Sequence, residues 1–147
     1  MTNFNLNSTR ALAFLLAVTL MVPAALAVDV GYTATAGDSV YSPSISDGKI
    51  STYSKIQTKR KQILEIKLDE PRHRVRQLKL RGSGWFVAIT RFEDGTTSGE
   101  TTPVEMRKSG VYVTPKIKDD KKITGFFIKC TSKYFQCKLR ELDVIDY

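Results

Sequence analysis

From Val28 onward apolar residues recur at every second position over short runs, and no stretch keeps the three-and-four spacing of a helix. "QILEIKL" (62–68) places Leu64, Ile66 and Leu68 on one face and Glu65 and Lys67 on the other, and "DEP" (69–71) is expected to end that strand. "RQLKL" (76–80) repeats the scheme, with Leu78 and Leu80 inward and Gln77, Lys79 and Arg81 outward. Gly82-Ser83-Gly84 is expected to turn the chain. "WFVAITRF" (85–92) is apolar at consecutive positions, which predicts a central strand covered on both sides or one whose second face carries an exposed Phe86. "EDG" (93–95) supplies a hairpin turn, because Gly95 can adopt positive φ. Short strands follow at "VEM" (104–106) and "VYVTPKI" (111–117), the latter marked as an edge by Pro115. After a turn at "DDKK" (119–122), "ITGFFIKC" (123–130) and "CKLRELDVIDY" (137–147) form the last pair.

This pattern predicts an all-β protein: a single-domain antiparallel β-sandwich or jelly roll, with a closed barrel as the alternative. Residues 61–147 form the expected core domain. Residues 28–60, rich in Ser, Thr, Gly and Asp, are expected as an irregular arm or edge strands.

The first 27 residues read as processing information. Arg10 precedes the uncharged apolar run "ALAFLLAVTLMVPAALA" (11–27), which ends in Ala25-Leu26-Ala27, the small-residue pattern of a signal-peptide cleavage site. Pro23 and the polar sequence that follows favour cleavage over a retained anchor, so the mature chain is expected to be secreted or periplasmic, without a transmembrane segment. Removing Arg10 lowers the basic count from 23 to 22 against 15 acids, a net charge of +7. In an exported chain the two cysteines, Cys130 and Cys137, are expected to form a disulfide, with two reduced thiols as the alternative. If the last two strands are neighbours, the bridge spans their ladder.

The runs "RVRQLKLRGSG", "VAITRFEDG", "TPVEMRKSG", "KKITGFFIKC" and "CKLRELDVID" resemble those of small secreted or periplasmic bacterial β-sandwich proteins. The resemblance covers roughly the last half of the chain and implies a fold and an exported location, with no mechanism attached. Its departure is at the end, where "DVIDY" replaces a glycine finish.

Chemistry is sparse. The sole histidine, His73, lies among arginines that disfavour its cationic form, and reads as a solvated loop residue. With one histidine and two bridged cysteines, no metal site and no cofactor are expected. A hydrolase would need two of Asp69, Glu70, Glu93, Asp94 and Glu105 to converge in a cleft, but these carboxylates, like Asp119 and Asp120, sit in sequence typical of turns. A non-enzymatic role is therefore expected.

Charge supplies the positive indication. Arg72, Arg74, Arg76, Lys79 and Arg81 share one segment, and Lys59, Arg60 and Lys61 precede a neighbouring strand. Paired on one sheet face, they would attract an anionic glycan, a lipid headgroup or another polyanion, with nucleic acid not favoured. The alternative is a solvated face whose charges guard an edge. Trp85, in alternation with Val87 and Ile89, is expected in the core, with a sugar-stacking platform as the alternative; Tyr134 and Phe135 in the cysteine loop are further aromatic contact candidates. A second class of function is a structural or inhibitory module that engages a protein partner through an exposed edge such as "VYVTPKI" or the N-terminal arm.

Overall fold

A computed structural model describes residues 28–36, 39–40, 42–57, 62–132 and 136–146. The segment 1–27, the cations Lys59, Arg60 and Lys61, and the loop aromatics Tyr134 and Phe135 lie outside the described residues. In chain order the elements are β1 (Val28–Asp29), β2 (Tyr32–Ala36), β3 (Ser39–Val40), α1 (Ser42–Ile45), β4 (Ser54–Gln57), β5 (Ile63–Arg72), β6 (Gln77–Phe92), β7 (Val104–Met106), β8 (Val111–Val113), β9 (Ile123–Cys130) and β10 (Gln136–Asp146).

The protein is an all-β, antiparallel sandwich whose two layers are halves of one curled sheet, in the order β1-β10-β6-β9-β5-β2-β3. The order has two ends among the described residues, which distinguishes it from a closed barrel. The hinge between layers is β6. Its first half, Gln77–Ser83, pairs with β10 on one side and β8 on the other, and its second half, Gly84–Phe92, pairs with β9 and β7. Gly82-Ser83-Gly84 is therefore a bend inside one 16-residue strand and not the turn its composition suggests. A Cβ at Gly82 would stand 2.0 Å from the Lys138 carbonyl oxygen, and Gly84 has φ +106° with Cys137 Sγ 2.8 Å from where its Cβ would be. Both glycines let β10 come close as β6 leaves it.

The bend also corrects the expected place of the disulfide. β9 and β10 are not neighbours, because β6 runs between them; Cys130 and Cys137 are bonded, with a Cα–Cα distance of 5.7 Å, where β6 passes from one layer to the other. The "DEP" segment does not end its strand either. β5 runs on to Arg72, and its ladder with β9 loses register after Lys67 and resumes at Arg72.

The N-terminal segment joins both layers: β1 and β4 pair with β10, while β2 pairs with β5. Ala34, Ile45 and Ile56 from this segment are buried in the same core as Leu64, Phe86 and Leu139.

Candidate functional site

The inward positions of β6 are even-numbered throughout: Leu78, Leu80, Phe86, Ala88, Thr90 and Phe92 are buried. Trp85, Val87, Ile89 and Arg91 therefore point out from the larger layer. The expected core position of Trp85 is corrected, since Trp85 is 46 % exposed, and of the two readings of this strand the one with an exposed Phe86 fails, since Phe86 is wholly buried. The phase carries through the glycine bend without a slip, and a reading of 77–92 as one strand would have placed Trp85 outside. Breaking the run at the glycines hid it.

Further along β6 from Trp85, the outer face of the larger layer is apolar between two ion pairs. Ile89 lies opposite Phe127 of β9, which in turn lies opposite Glu65 of β5; Val87 lies opposite Lys129, and Lys129 opposite Ile63. Lys129 reaches across β6 to Glu100, with Nζ 2.7 Å from the carboxylate. Val87, the register partner of Lys129, is only 1 % exposed although it points outward. At the other end Arg91 pairs with Glu65 across β9, its guanidinium carbon 5.8 Å from the centroid of the Phe127 ring. Between these pairs lies a shallow cavity of about 260 Å³ lined by Ile63, Ile89, Thr97, Phe127 and Lys129. A floor of aromatic and aliphatic carbon with paired polar groups at its ends suits a ligand that has both an apolar face and hydroxyls.

The basic run divides. On the outer face of the smaller layer Lys79 stands opposite Asp143 and Arg81 opposite Glu141 across the β6–β10 ladder, at 3.8 Å and 3.2 Å. Arg72 pairs with Glu70 at 3.7 Å. Arg74 is exposed beside His73 in the connection to β6, and Arg76 donates its backbone N–H to the Ile145 carbonyl there. Arg72, Lys79 and Arg81 thus have acidic partners, those of Lys79 and Arg81 coming from "ELD" in the last strand, whose register was not legible in the sequence.

The hydrolase carboxylates do not converge. Glu105 pairs with Arg107, and Asp94 accepts from Lys121 and from the Thr96 N–H and hydroxyl, contacts that hold its carboxyl well below the ordinary aspartate range, Lys121 first among them. Of the five, only Asp69 borders the larger cavity, about 380 Å³, where the chain crosses from β1 to β2; Asp29 and Asp143 line it too. Tyr32 at its wall donates to the Leu142 carbonyl. Burial first, then the negative charges of Asp143, Glu141 and Asp29, push its hydroxyl well above the usual tyrosine range, so it stays a donor. Among the described residues no group of three or more His, Cys, Asp or Glu side chains is placed to hold a metal ion, and no helix is long and apolar enough to cross a membrane. The edge strand β8 offers three residues before Pro115.

No protein-family model and no curated protein matches the chain. Its fold is similar to that of an F5/8 type C domain from Bacteroides fragilis, 14 % identical, with a TM-score of 0.63 over 82 % of this chain and 96 % of that one. It is also similar to the family 32 CBM of C. perfringens NanJ, solved in complex with galactose: 17 % identity, TM-score 0.60, 82 % of this chain and 100 % of that one. The C-terminal domain of a chitobiase from Bacteroides fragilis aligns at 11 % identity and a TM-score of 0.52, over 82 % and 95 % of the two chains. The likeness reaches beyond the last half of the chain, to which the sequence resemblance is confined, and it establishes the β-sandwich class across the N-terminal strands as well.

Proposed function

We propose that the protein is an exported, non-enzymatic module that binds carbohydrate on the outer face of its larger layer, with Trp85 as the stacking ring. The exposure of Trp85 on the same outward face of β6 as Ile89, which lines the apolar cavity further along the strand, carries this reading. The likeness in fold to a module solved with galactose supports it. Export is supported by the buried Cys130–Cys137 bridge, which forms in oxidising compartments, and by the leader-like pattern of residues 1–27.

About half of a ring of up to roughly 250 Å² is open. Covering it contributes at most about 3 kcal/mol, short of the ~4 kcal/mol of a millimolar complex. Hydrogen bonds to Lys129 and Glu100, the charged pair at the Trp85 end of this face, must supply the rest, so the expected affinity for a single sugar is weak. Trp85 is the only tryptophan in the chain, so its emission reports the site directly. Titration with galactose and with a panel of neutral oligosaccharides should shift that emission, and Trp85→Ala should abolish binding while leaving the fold intact. Saccharide binding that survives Trp85→Ala unchanged, or no binding across the panel, overturns the reading.

A further inference from the structure

Tyr53, at the entry to β4, is 38 % exposed, and three cations converge on its ring. Lys138 Nζ lies 5.2 Å from the centroid, the Arg140 guanidinium carbon 5.4 Å and Lys55 Nζ 5.9 Å. Lys55 and Lys138 stand directly opposite one another in the β4–β10 ladder, an arrangement of like charges that destabilises a sheet. Arg140 is held in place by donating to the Ile50 carbonyl, and Ile50 is itself exposed. Among the described residues no carboxylate lies within ion-pair distance of any of the three. Along the same strand, Glu141 and Asp143 partner Arg81 and Lys79. The charge matching stops where β10 meets β4.

A single tyrosine quadrupole attracts an exposed cation only weakly and does not cancel the repulsion among three. An oxyanion does, because each of its oxygens can accept from a different cation at once. The exposed carbon of Tyr53 and Ile50 adds an apolar surface beside the charge. We propose that Lys55, Lys138 and Arg140, gathered on Tyr53, bind the sulfate ester or carboxylate of an acidic saccharide, whose sugar ring rests on Tyr53 and Ile50. This site is on the smaller layer and does not depend on the Trp85 face, so either can fail alone.

The test titrates the folded chain with a heparin-derived tetrasaccharide, its desulfated and carboxyl-reduced counterpart, inorganic sulfate, and vesicles containing anionic lipid, following backbone amide shifts. The acidic tetrasaccharide should move the amides of Tyr53, Lys55, Lys138 and Arg140 at low salt. The double variant Lys55→Gln/Lys138→Gln, which leaves the Arg140–Ile50 contact alone, should weaken binding roughly tenfold, as expected for two charged contacts near a surface. Lys79→Gln/Arg81→Gln, which removes the same formal charge from residues that already have acidic partners, should change it by no more than about twofold. Equal losses in the two double variants would show attraction by net charge and overturn the site. So would equal binding of the neutralised tetrasaccharide, inorganic sulfate bound as tightly as the tetrasaccharide, vesicles bound where the tetrasaccharide is not, or no tetrasaccharide binding at low salt.

Discussion

At the scale of single residues, the glycines of β6 do the work that the sequence pattern assigns to a turn. Adding a methyl at Gly82 drives it into the Lys138 backbone, and at Gly84 into Cys137 Sγ at a backbone angle that side chains rarely adopt. Gly95 also has positive φ, +80°, but nothing lies within 4 Å of its missing Cβ. Alanine at Gly82 or Gly84 should therefore cost about 2–3 kcal/mol through backbone displacement and strain. At Gly95 it should cost only about 1 kcal/mol, the conformational penalty alone. Denaturant unfolding of the three variants checks the order, and a Gly82→Ala protein as stable as the parent would contradict the close approach of β10. The Gly-Ser-Gly run marks a place where the backbone must do something unusual. It does not say whether that is a reversal or a bend, because glycine is selected for both. The even-position alternation from Leu78 to Phe92 distinguishes them, and it also determines which way Trp85 points.

At the scale of elements, two turns that are far apart in sequence meet. Phe92 and Ile123 are register partners, and Glu93 donates its N–H to the Lys122 carbonyl, so the "EDG" turn after β6 and the "DDKK" turn before β9 lie side by side. Each turn was legible from its own residues, but their contact was not, since it follows from β6 and β9 being adjacent. The contact brings Lys121 onto Asp94, whose carboxyl is held below the ordinary range by that ammonium first and then by Thr96. A carboxyl depressed in the folded state contributes stability above its unfolded value near 3.9 and loses that contribution as pH falls through the folded value. Asp94→Asn should therefore lower the melting temperature slightly at neutral pH, and the difference from the parent should vanish in strong acid. The effect is small because the pair is exposed and solvent screens it. Carboxyl NMR through an acid titration measures the midpoint directly; a value at or above that of a free aspartate would refute the turn-to-turn contact.

At the scale of the whole molecule, alternation within single strands and fold class were readable because they depend on local periodicity. The order β10-β6-β9 was not, because the chain contains no local mark of which strand passes between which. That order changes what the Cys130–Cys137 bridge does. Between adjacent strands it would duplicate an existing ladder; across β6 it ties the two layers together at the point where the curled sheet bends. The loop it closes is short, so the entropy it removes from the unfolded chain is worth about 2.5 kcal/mol, or roughly 10 °C in melting temperature for a domain of this size. Both cysteines are buried, so reductant should act only as fast as the fold opens. Replacing both by alanine should lower the melting temperature by that amount and bring earlier hydrogen exchange to the amides of β10 and of Gly82–Phe86, where the layers part. Exchange that accelerates only in the residues between the two cysteines, with the layers unaffected, would mean that the bridge closes its own loop and nothing more.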